Sequence, residues 1–342
     1  MQIRENVKIA PFTSFRIGGT ARYFCEVYSE KELEESILYA REKGVPFFIL
    51  GGGSNILFSD DGYDGLVIKI NLRGMFFEKT SDGIVRSSVS AGEKWDEFVS
   101  ESVRRNLFGI ENLSAIPGTV GASPIQNIGA YGQEVKETIE WVDVFDTNKM
   151  KNVRLFANEC MFGYRDSIFK KEGAYNYIVL SVAFSLKQTG KLNHSYDGVR
   201  EYFEKKKIIS PTLSDTREAI ISIRGAKLPD ITTIGTAGSF FKNPIVSRDK
   251  VFLLNKKFPK IPLRQHKKGF KISAAWLIEN ISEMKDARYE DAGVYKSQPL
   301  VLVNYKSARA KDIIFLAQKI EEKIFKKTGI QLEREVLVLG NK

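Results

Sequence analysis

Cysteine and histidine, the residues that build disulfide scaffolds and many metal sites, are scarce in this sequence. Of its 342 residues, two are cysteine and two are histidine. Cys25 and Cys160 are far apart and have apolar neighbours, so we predict that both are reduced and structural. With only His194 and His266 available, HExxH-type zinc sites are excluded and a histidine-based nucleophile is disfavoured. Any acid or base must come from other residue types, and we expect no metal.

Long apolar segments are absent as well. No run reaches the roughly 18 apolar residues that a membrane-spanning helix needs. The first residues, "MQIRENVKIAPF", have neither the apolar core of a signal peptide nor the Arg- and Ser-rich character of a transit peptide. We therefore expect a cytoplasmic protein without membrane insertion.

The basic residues do not form one continuous stripe. The formal net charge is +10, which could indicate a nucleic-acid partner. The lysine groups are scattered along the chain instead, at Lys205–Lys207, Lys256–Lys257, Lys267–Lys268 and Lys326–Lys327. We expect no nucleic-acid partner, and nothing in the sequence requires an oligomer. A basic nucleic-acid-binding protein remains one alternative.

The first third of the chain has the pattern of a strand–helix–strand unit. A strand over "TARYFCEVY" is followed by a helix that Ser29 and Glu32 cap and Gly44 ends. The buried strand "PFFIL" then leads directly into "GGGSN", and "LVIKI" is the next strand. The pattern predicts a glycine loop at the carboxyl end of a strand, where open α/β sheets bind ligands.

The remainder of the chain is predicted to be α+β, in keeping with two or three domains for this length. A hairpin joins "FFEKT" to "IVRSSVS" through residues 81–83, the helix "KWDEFVSESVRRN" stops near Asn106, and "IEWVDVF" and "YNYIVLSVAFSL" are strands. A helix near 214–224 ends at the breaker "KLPD", where we place a boundary. The last third contains the helix "ISAAWLIENI", the strand "LVLVN", a long helix closed by Gly329 and a final strand in "IQLEREVLVL".

Three glycine-rich loops are candidates for ligand binding. They are "GGGSN" at 51–55, "IPGTVGASPIQNIGAYG" at 116–132 and "GTAGSFFKNP" at 235–244, and none is a Walker A or GxGxxG motif. In the second, Thr119, Ser123, Gln126 and Asn127 are interleaved with glycines and prolines. Glycines let backbone N–H groups approach a diphosphate or a flat ring, and Gln and Asn amides match a heterocycle.

Together these motifs resemble a known family. "GGGSNILF", "IPGTVGASPIQNIGAYG", "FGYRDSIFK", "KLPD", "GTAGSFFKNP", "AAWLIE" and "LEREV" occur in order, and over residues 13–340 the chain is similar to the UDP-N-acetylenolpyruvoylglucosamine reductase family of peptidoglycan precursor synthesis. The resemblance implies an α+β protein with a vanillyl-alcohol-oxidase-like two-part FAD-binding fold and a C-terminal α+β substrate domain. The implied domains are 1–70 with 329–342, then 71–224, then 225–328 for the substrate.

The resemblance also implies the cofactors and their contacts. NADPH would give hydride to FAD, and the substrate would be UDP-N-acetylglucosamine enolpyruvate. Thirteen residues in the first two glycine loops would bind FAD: Gly51, Gly53, Ser54, Asn55, Ile116, Pro117, Gly118, Gly121, Ala122, Gln126, Asn127, Gly129 and Ala130.

Six residues would hold the substrate by the same resemblance: Tyr196, Lys227, Asn243, Lys271, Lys285 and Gln298. Tyr196 lies in "NHSYDG" within an insertion at 165–210, which is similar to the subtype whose tyrosine loop closes over the substrate. One departure from the family pattern is Tyr295, where relatives often have histidine. It weakens the expectation for local contacts around Lys285 and Gln298.

Three residues would be catalytic. After hydride transfer, negative charge develops beside the substrate carboxylate, and Arg165 of "FGYRDS" offers a permanent planar cation for it. Glu335 of "LEREV" is the matching acid, although Glu333 shares its strand face, and Tyr-Arg-Asp can also be a salt-bridge turn. Ser239 of "GSFFKNP" would be the proton donor, with Phe240 and Phe241 as core anchors.

One rival reading comes from the same fold. A sugar or alcohol oxidase would use oxygen and often a covalent flavin attached through histidine. Neither histidine of this chain lies in a flavin loop. The resemblance to the reductases is therefore favoured over the oxidase alternative.

Overall fold

The computed structural model describes residues 1–80, 83–171 and 176–340. The predicted turn at Ser81 and Asp82, residues 172–175 of the predicted insertion, and residues 341 and 342 lie outside this description. The chain divides into two compact units. The first contains Met1–Val7, Ala21–Gly52 and Asp64–Ala226, and the second contains Lys8–Thr20, Gly53–Tyr63 and Lys227–Lys342.

The described chain contains both helices and strands. The helices are α1 Glu30–Glu42, α2 Trp95–Arg104, α3 Asp197–Lys206, α4 Leu213–Lys227, α5 Arg248–Lys257, α6 Ala274–Asn280 and α7 Ala310–Thr328. The strands are β1 Arg4–Lys8, β2 Thr20–Val27, β3 Phe47–Leu50, β4 Ile56–Phe58, β5 Tyr63–Ile70, β6 Met75–Lys79, β7 Ile84–Ser90, β8 Gly129–Ala130, β9 Gln133–Glu134, β10 Ile139–Asp146, β11 Lys151–Phe156, β12 Tyr177–Lys187, β13 Gly235–Ser239, β14 Ile245–Val246, β15 Leu263–His266, β16 Gly269–Ile272, β17 Arg288–Tyr289, β18 Ala292–Val294, β19 Val301–Asn304 and β20 Leu337–Leu339.

The first unit contains the predicted strand–helix–strand element. Its four-stranded sheet has the order β1-β2-β5-β3, and β3 runs parallel to β5. The Ser29 side chain accepts from the Glu32 N–H at the start of α1, and Gly44 has the left-handed φ of 63° that ends the helix. These predictions are confirmed, and "GGGSN" begins where β3 ends.

A second sheet of the same unit is antiparallel, with the order β11-β10-β12-β7-β6. Trp95, Phe98 and Phe184 form a buried aromatic cluster in this part of the core, with ring centroids 4.8–5.9 Å apart. The pairing of β6 with β7 confirms the predicted hairpin strands. This core supports the loop at 116–132.

In the second unit, α7 packs against the sheet β13-β19-β18-β17, and α6 packs against α7. Phe240 and Phe241 are fully buried in its core, with their rings 5.2 Å apart, as predicted. Gly329, with φ 64°, closes α7 as predicted. Near the end of the chain, β20 pairs in parallel with β4 of the same unit.

Several elements differ from the sequence predictions. Helices α3 and α5 were not predicted, since each is ten residues long and buries only two side chains, which leaves little periodic signal. The strand predicted in "IQLEREVLVL" is shorter in the structure: among the described residues it consists of β20 and an isolated bridge between Arg334 and Phe241. The predicted boundary near 224 lies beside the division at Ala226. Residues 8–20, 53–63 and 329–340 were placed in the first predicted domain and lie in the second unit.

Candidate functional site

The first two glycine loops approach each other closely within the first unit. A Cβ atom built on Gly52 would lie 2.6 Å from the Gly118 Cα, and one on Gly51 would lie 2.8 Å from the Thr119 Oγ1. A Cβ on Gly121 would lie 2.5 Å from that of Ala91. Side chains at these positions would push the loops apart, so glycine is what allows the close approach. The two predicted FAD loops are therefore adjacent here.

Asn127 holds the shape of the second loop. Its Nδ2 donates to the Glu134 Oε2 at 3.0 Å and to the Gly163 carbonyl at 2.9 Å. Its Oδ1 accepts from the Lys136 N–H at 3.1 Å, and its backbone is left-handed with φ 46°. The side chain is fully buried. Asn127 therefore acts on the loop through protein contacts made by its amide.

Ser123 is a polar residue of the same loop that was not among the predicted FAD ligands. It is 1% exposed, and its hydroxyl has no hydrogen-bond partner within residues 1–80, 83–171 and 176–340. A buried hydroxyl without a partner costs free energy unless a ligand or water satisfies it. Together with the glycine cradle, a hydroxyl donor at this position fits a diphosphate such as that of FAD.

Arg165 lies beside the loop in a left-handed backbone conformation, with φ 53°. Its Nη2 donates to the Gly129 carbonyl at 2.7 Å. Asp166, the neighbour that a salt-bridge turn would use, pairs with Lys171 at 2.6 Å. The structure therefore joins Arg165 to Gly129, a residue predicted to bind FAD, which the salt-bridge interpretation does not explain.

Tyr196 also lies next to this loop. It is the N-cap residue of α3, and its ring meets that of Tyr131 edge to face with centroids 5.0 Å apart. Tyr131 follows directly after Ala130, and its carbonyl accepts from the Asn112 Nδ2 at 2.9 Å. The predicted substrate tyrosine and the end of the second loop are thus in contact.

In the second unit, Ser239 ends β13 at an irregularity of the sheet. β13 pairs with β19, and the register shifts between Thr236 and Ser239. Gly238 within this bulge has φ 73°, although a Cβ there would meet no atom of the described residues within 4 Å. Glycine is therefore favoured at this position by its left-handed backbone and not by lack of space. A β-bulge of this kind changes the direction of the side chain that follows it.

Glu335 is adjacent to Ser239 through the backbone. Its N–H donates to the Phe240 carbonyl at 2.8 Å, and its carbonyl accepts from the Asn55 Nδ2 at 3.2 Å. Glu333, the alternative acid, is 69% exposed and forms an ion pair with Lys242. The surface ion pair explains Glu333 without a catalytic role and supports the choice of Glu335.

Three predicted substrate residues of the second unit lie close to β13, the strand that ends at Ser239. The Asn243 Oδ1 accepts from the Ala274 N–H at 2.8 Å at the start of α6, and Lys271 of β16 is paired with Ile245, two residues after Asn243. The Gln298 carbonyl accepts from Val301, the residue paired with Ser239. These three predicted substrate residues therefore belong to the framework around Ser239.

Four predicted residues are placed differently. The Gly53 carbonyl accepts from the Ser14 N–H at 3.0 Å, and Gly53 packs tightly against Phe12; Ser54 follows in the same loop. Lys227 is the exposed last residue of α4, and Lys285 is exposed and paired with Glu279 at 2.6 Å. Nothing in these contacts indicates a ligand at Lys285.

The described residues bear on the expectations for cysteines, metals and membranes. Cys25 and Cys160 are free and buried, and burial raises the pKa of each thiol to about 12, as expected for structural cysteines. Within the three described segments, no group of His, Cys, Asp and Glu side chains could hold a metal ion. No helix found there is long and apolar enough to cross a membrane.

Comparisons with known proteins cover both halves of the chain. Residues 21–149 match the family described as FAD binding domain, and residues 230–339 match the family described as UDP-N-acetylenolpyruvoylglucosamine reductase, C-terminal domain. A Flavobacterium johnsoniae protein named UDP-N-acetylenolpyruvoylglucosamine reductase is 40% identical over 341 residues, which cover 99% of this chain and 100% of that one. The Chromobacterium violaceum protein of the same name is 38% identical and covers 99% of each chain.

A solved structure shows the same fold. The UDP-N-acetylenolpyruvylglucosamine reductase of Thermus caldophilus aligns with a TM-score of 0.70 over 99% of both chains, at 24% identity. The predicted α+β fold class, with an FAD-binding part and a C-terminal α+β domain, is confirmed.

Proposed function

The chain belongs to the UDP-N-acetylenolpyruvoylglucosamine reductase family, and from this premise we propose how its own residues carry out the reaction. It is an FAD-dependent oxidoreductase that uses NADPH to reduce UDP-N-acetylglucosamine enolpyruvate in peptidoglycan precursor synthesis. The oxidase and nucleic-acid-binding alternatives lose their basis, because both halves of the chain match reductase or FAD-binding families.

FAD binding is assigned to the two glycine loops at 51–55 and 116–130. When bound, FAD supplies the two-step transfer of hydride from NADPH to the enolpyruvyl group. Gly51, Gly118 and Gly121 give the backbone access to the diphosphate, and the buried Ser123 hydroxyl donates to it. The unsatisfied Ser123 hydroxyl is the observation that supports this assignment most directly.

Ser239 is the proton donor in our proposal. Hydride arrives at the methylene carbon of the enolpyruvyl group and leaves negative charge on the neighbouring carbon and its carboxylate. A neutral hydroxyl beside that carbon transfers its proton there and completes the reduction. The bulge at Gly238, which determines the direction of Ser239, is the single observation that carries this proposal.

Arg165 and Glu335 complete the catalytic set. The Arg165 guanidinium, anchored through Nη2 to Gly129, is a permanent planar cation suited to the substrate carboxylate. Glu335, whose backbone N–H donates to the carbonyl of Phe240, the residue after Ser239, is the acidic partner in this proposal. Tyr196, Lys227, Asn243, Lys271, Lys285 and Gln298 are proposed to hold the UDP-sugar, with Lys285 supported least by its contacts.

The setting of the enzyme is also proposed here. We assign it to the cytoplasm as a protein with no nucleic-acid partner and no membrane insertion, in which one copy is sufficient for catalysis. Sedimentation tests whether one copy is sufficient. A mass of about one chain, at concentrations where the turnover per enzyme is constant, supports it. Activity per enzyme that falls on dilution contradicts it.

Separate measurement of the two half-reactions tests the catalytic assignment. In anaerobic stopped flow, Ser239→Ala should retain FAD and react normally with NADPH, yet the substrate-dependent step should slow by about 10²–10⁴-fold, the usual contribution of a positioned general acid. Ser247→Ala, which removes a surface hydroxyl at the N-cap of α5, is the matched control. If substrate reoxidises the Ser239→Ala enzyme at the wild-type rate, Ser239 serves packing only.

A further inference from the structure

Ala115 has a strained backbone at the entrance to the second FAD loop. It is not glycine, yet its φ is 58°, in the left-handed region, and it directly precedes Ile116, Pro117 and Gly118. A non-glycine residue in this conformation costs on the order of 1–3 kcal/mol and persists only where the surroundings enforce it. The contacts of Ala115 therefore determine how the loop begins.

Charged side chains hold both polar backbone groups of Ala115. Its N–H donates to the Asp96 Oδ1 at 2.5 Å, and its carbonyl accepts from the Arg224 Nε at 3.2 Å. Asp96 lies in the first turn of α2, and Arg224 lies on α4. Two helices that are far apart in the chain thus fix one residue.

Arg217 in turn fixes Asp96. Its Nη1 and Nη2 donate to the two carboxylate oxygens of Asp96 at 2.7 and 2.8 Å, a fork that defines the orientation of the carboxylate. Arg217 and Arg224 are seven residues apart, two turns of α4, and so lie on the same helix face. The Arg217 side chain is 16% exposed and that of Asp96 is 39% exposed, so the ion pair is half-buried.

We propose that Asp96 and Arg217 are positioning residues for FAD: their ion pair keeps Ala115 left-handed and thereby sets the conformation of Ile116–Gly118 for the cofactor. Neither residue contacts FAD in this proposal. The inference rests on the proposed binding of FAD by the 116–130 loop. Without the pair, Ala115 relaxes towards an unstrained conformation and the loop loses its binding geometry.

Release of FAD from the diluted holoenzyme, followed by flavin fluorescence, tests the inference. Asp96→Asn and Arg217→Gln should each weaken FAD binding roughly tenfold, the ratio that about 1.4 kcal/mol gives. The double variant should be no weaker than either single one, because both remove the same pair. Glu101→Gln, which removes the carboxylate that pairs with Arg104 and Arg105 at the end of the same helix α2, should leave FAD binding unchanged.

Rescue by glycine separates positioning from a general loss of stability. Since glycine adopts φ 58° without steric cost, Ala115→Gly in the Asp96→Asn background should restore most of the lost FAD affinity. Lower melting temperatures with unchanged FAD release, or a failure of Ala115→Gly to restore binding, would overturn the inference.

A reference variant shows which proposal has failed. Gly52→Ala places a Cβ against Gly118 and disturbs the glycine cradle itself. If Gly52→Ala releases FAD and Asp96→Asn does not, the positioning role alone is wrong. If neither releases FAD, the assignment of FAD to these loops is wrong as well.

Discussion

Left-handed non-glycine residues mark the candidate site of the first unit at the scale of single residues. Asn127 has φ 46° and Arg165 has φ 53°, and each is held by hydrogen bonds that its own side chain donates. Strain of this kind is concentrated where structure is determined by function. Substitution at these positions therefore tests geometry as well as chemistry.

Tyr196 offers a test in which packing is preserved. Tyr196→Phe keeps the edge-to-face contact with Tyr131 and removes only the hydroxyl. Loss of one hydrogen bond to substrate should raise KM by about 2- to 10-fold while reduction by NADPH is unaffected. Tyr202→Phe, in the same insertion, is the control. Equal loss of both half-reactions would assign Tyr196 to the fold.

We expect Gly238 to be needed for the orientation of Ser239 and not because a side chain would lack room. A Cβ there meets nothing, so Gly238→Ala costs only the backbone penalty of about 1–2 kcal/mol. We expect Gly238→Ala to lower the free energy of unfolding in denaturant by this amount and to slow the substrate half-reaction. Gly44→Ala, at φ 63° and also in open space, should show the same stability loss with normal turnover. Normal turnover in both variants would remove the bulge from the mechanism.

At the scale of elements, α7 is the helix whose start depends most clearly on carboxylates. The Asp60 carboxylate accepts from the N–H groups of Ala310 and Lys311 at 2.8 and 3.1 Å, and Asp312 accepts from the Arg309 N–H at 2.9 Å. Carboxylates satisfy unpaired N–H groups and interact favourably with the helix dipole. The beginning of α7 should therefore be sensitive to acid.

Asp312 gives this sensitivity a defined sign. Burial favours the neutral acid, but hydrogen bonds from the Arg309 backbone and guanidinium outweigh it and lower the pKa of Asp312. A lowered pKa stabilises the fold above the unfolded-state value of about 3.9, and the contribution is lost as the pH falls through the folded-state pKa.

The corresponding variant should behave differently at two pH values. Asp312→Asn should lose about 1 kcal/mol at about pH 7, the typical contribution of a helix cap, and less at about pH 3. Melting curves between these values measure the difference, with the exposed Glu322→Gln on the same helix as control. A stability difference between wild type and Asp312→Asn that does not change with pH would show that the charge of Asp312 does not contribute to stability.

At the scale of the whole molecule, FAD should stabilise the folded chain as a ligand of the native state. At a free concentration about 100 times its Kd, it adds about 2.7 kcal/mol to the free energy of unfolding. Riboflavin carries the same ring without the diphosphate for which the glycine loops are suited, so it should add much less. Urea unfolding of apoprotein with each ligand makes the comparison, and equal stabilisation would argue against diphosphate binding.

Local features were determined by the sequence itself. The Ser29 cap, Gly44, the buried Phe240 and Phe241, and Gly329 after α7 were all predicted correctly, because each depends on residues a few positions apart and on side-chain size or φ. The glycine loops were recognisable for the same reason. Composition likewise excluded zinc sites of the HExxH type, because the chain contains only two histidines.

Only the tertiary structure determined which distant residues meet. The fork between Arg217 and Asp96 joins residues 121 apart, and Glu335 reaches the Phe240 backbone across much of the second unit. The Ser123 hydroxyl could be recognised as unsatisfied only once its neighbours were in place. These relationships leave no periodic or local trace in the sequence, because they depend on how helices and loops pack rather than on the preferences of any one segment.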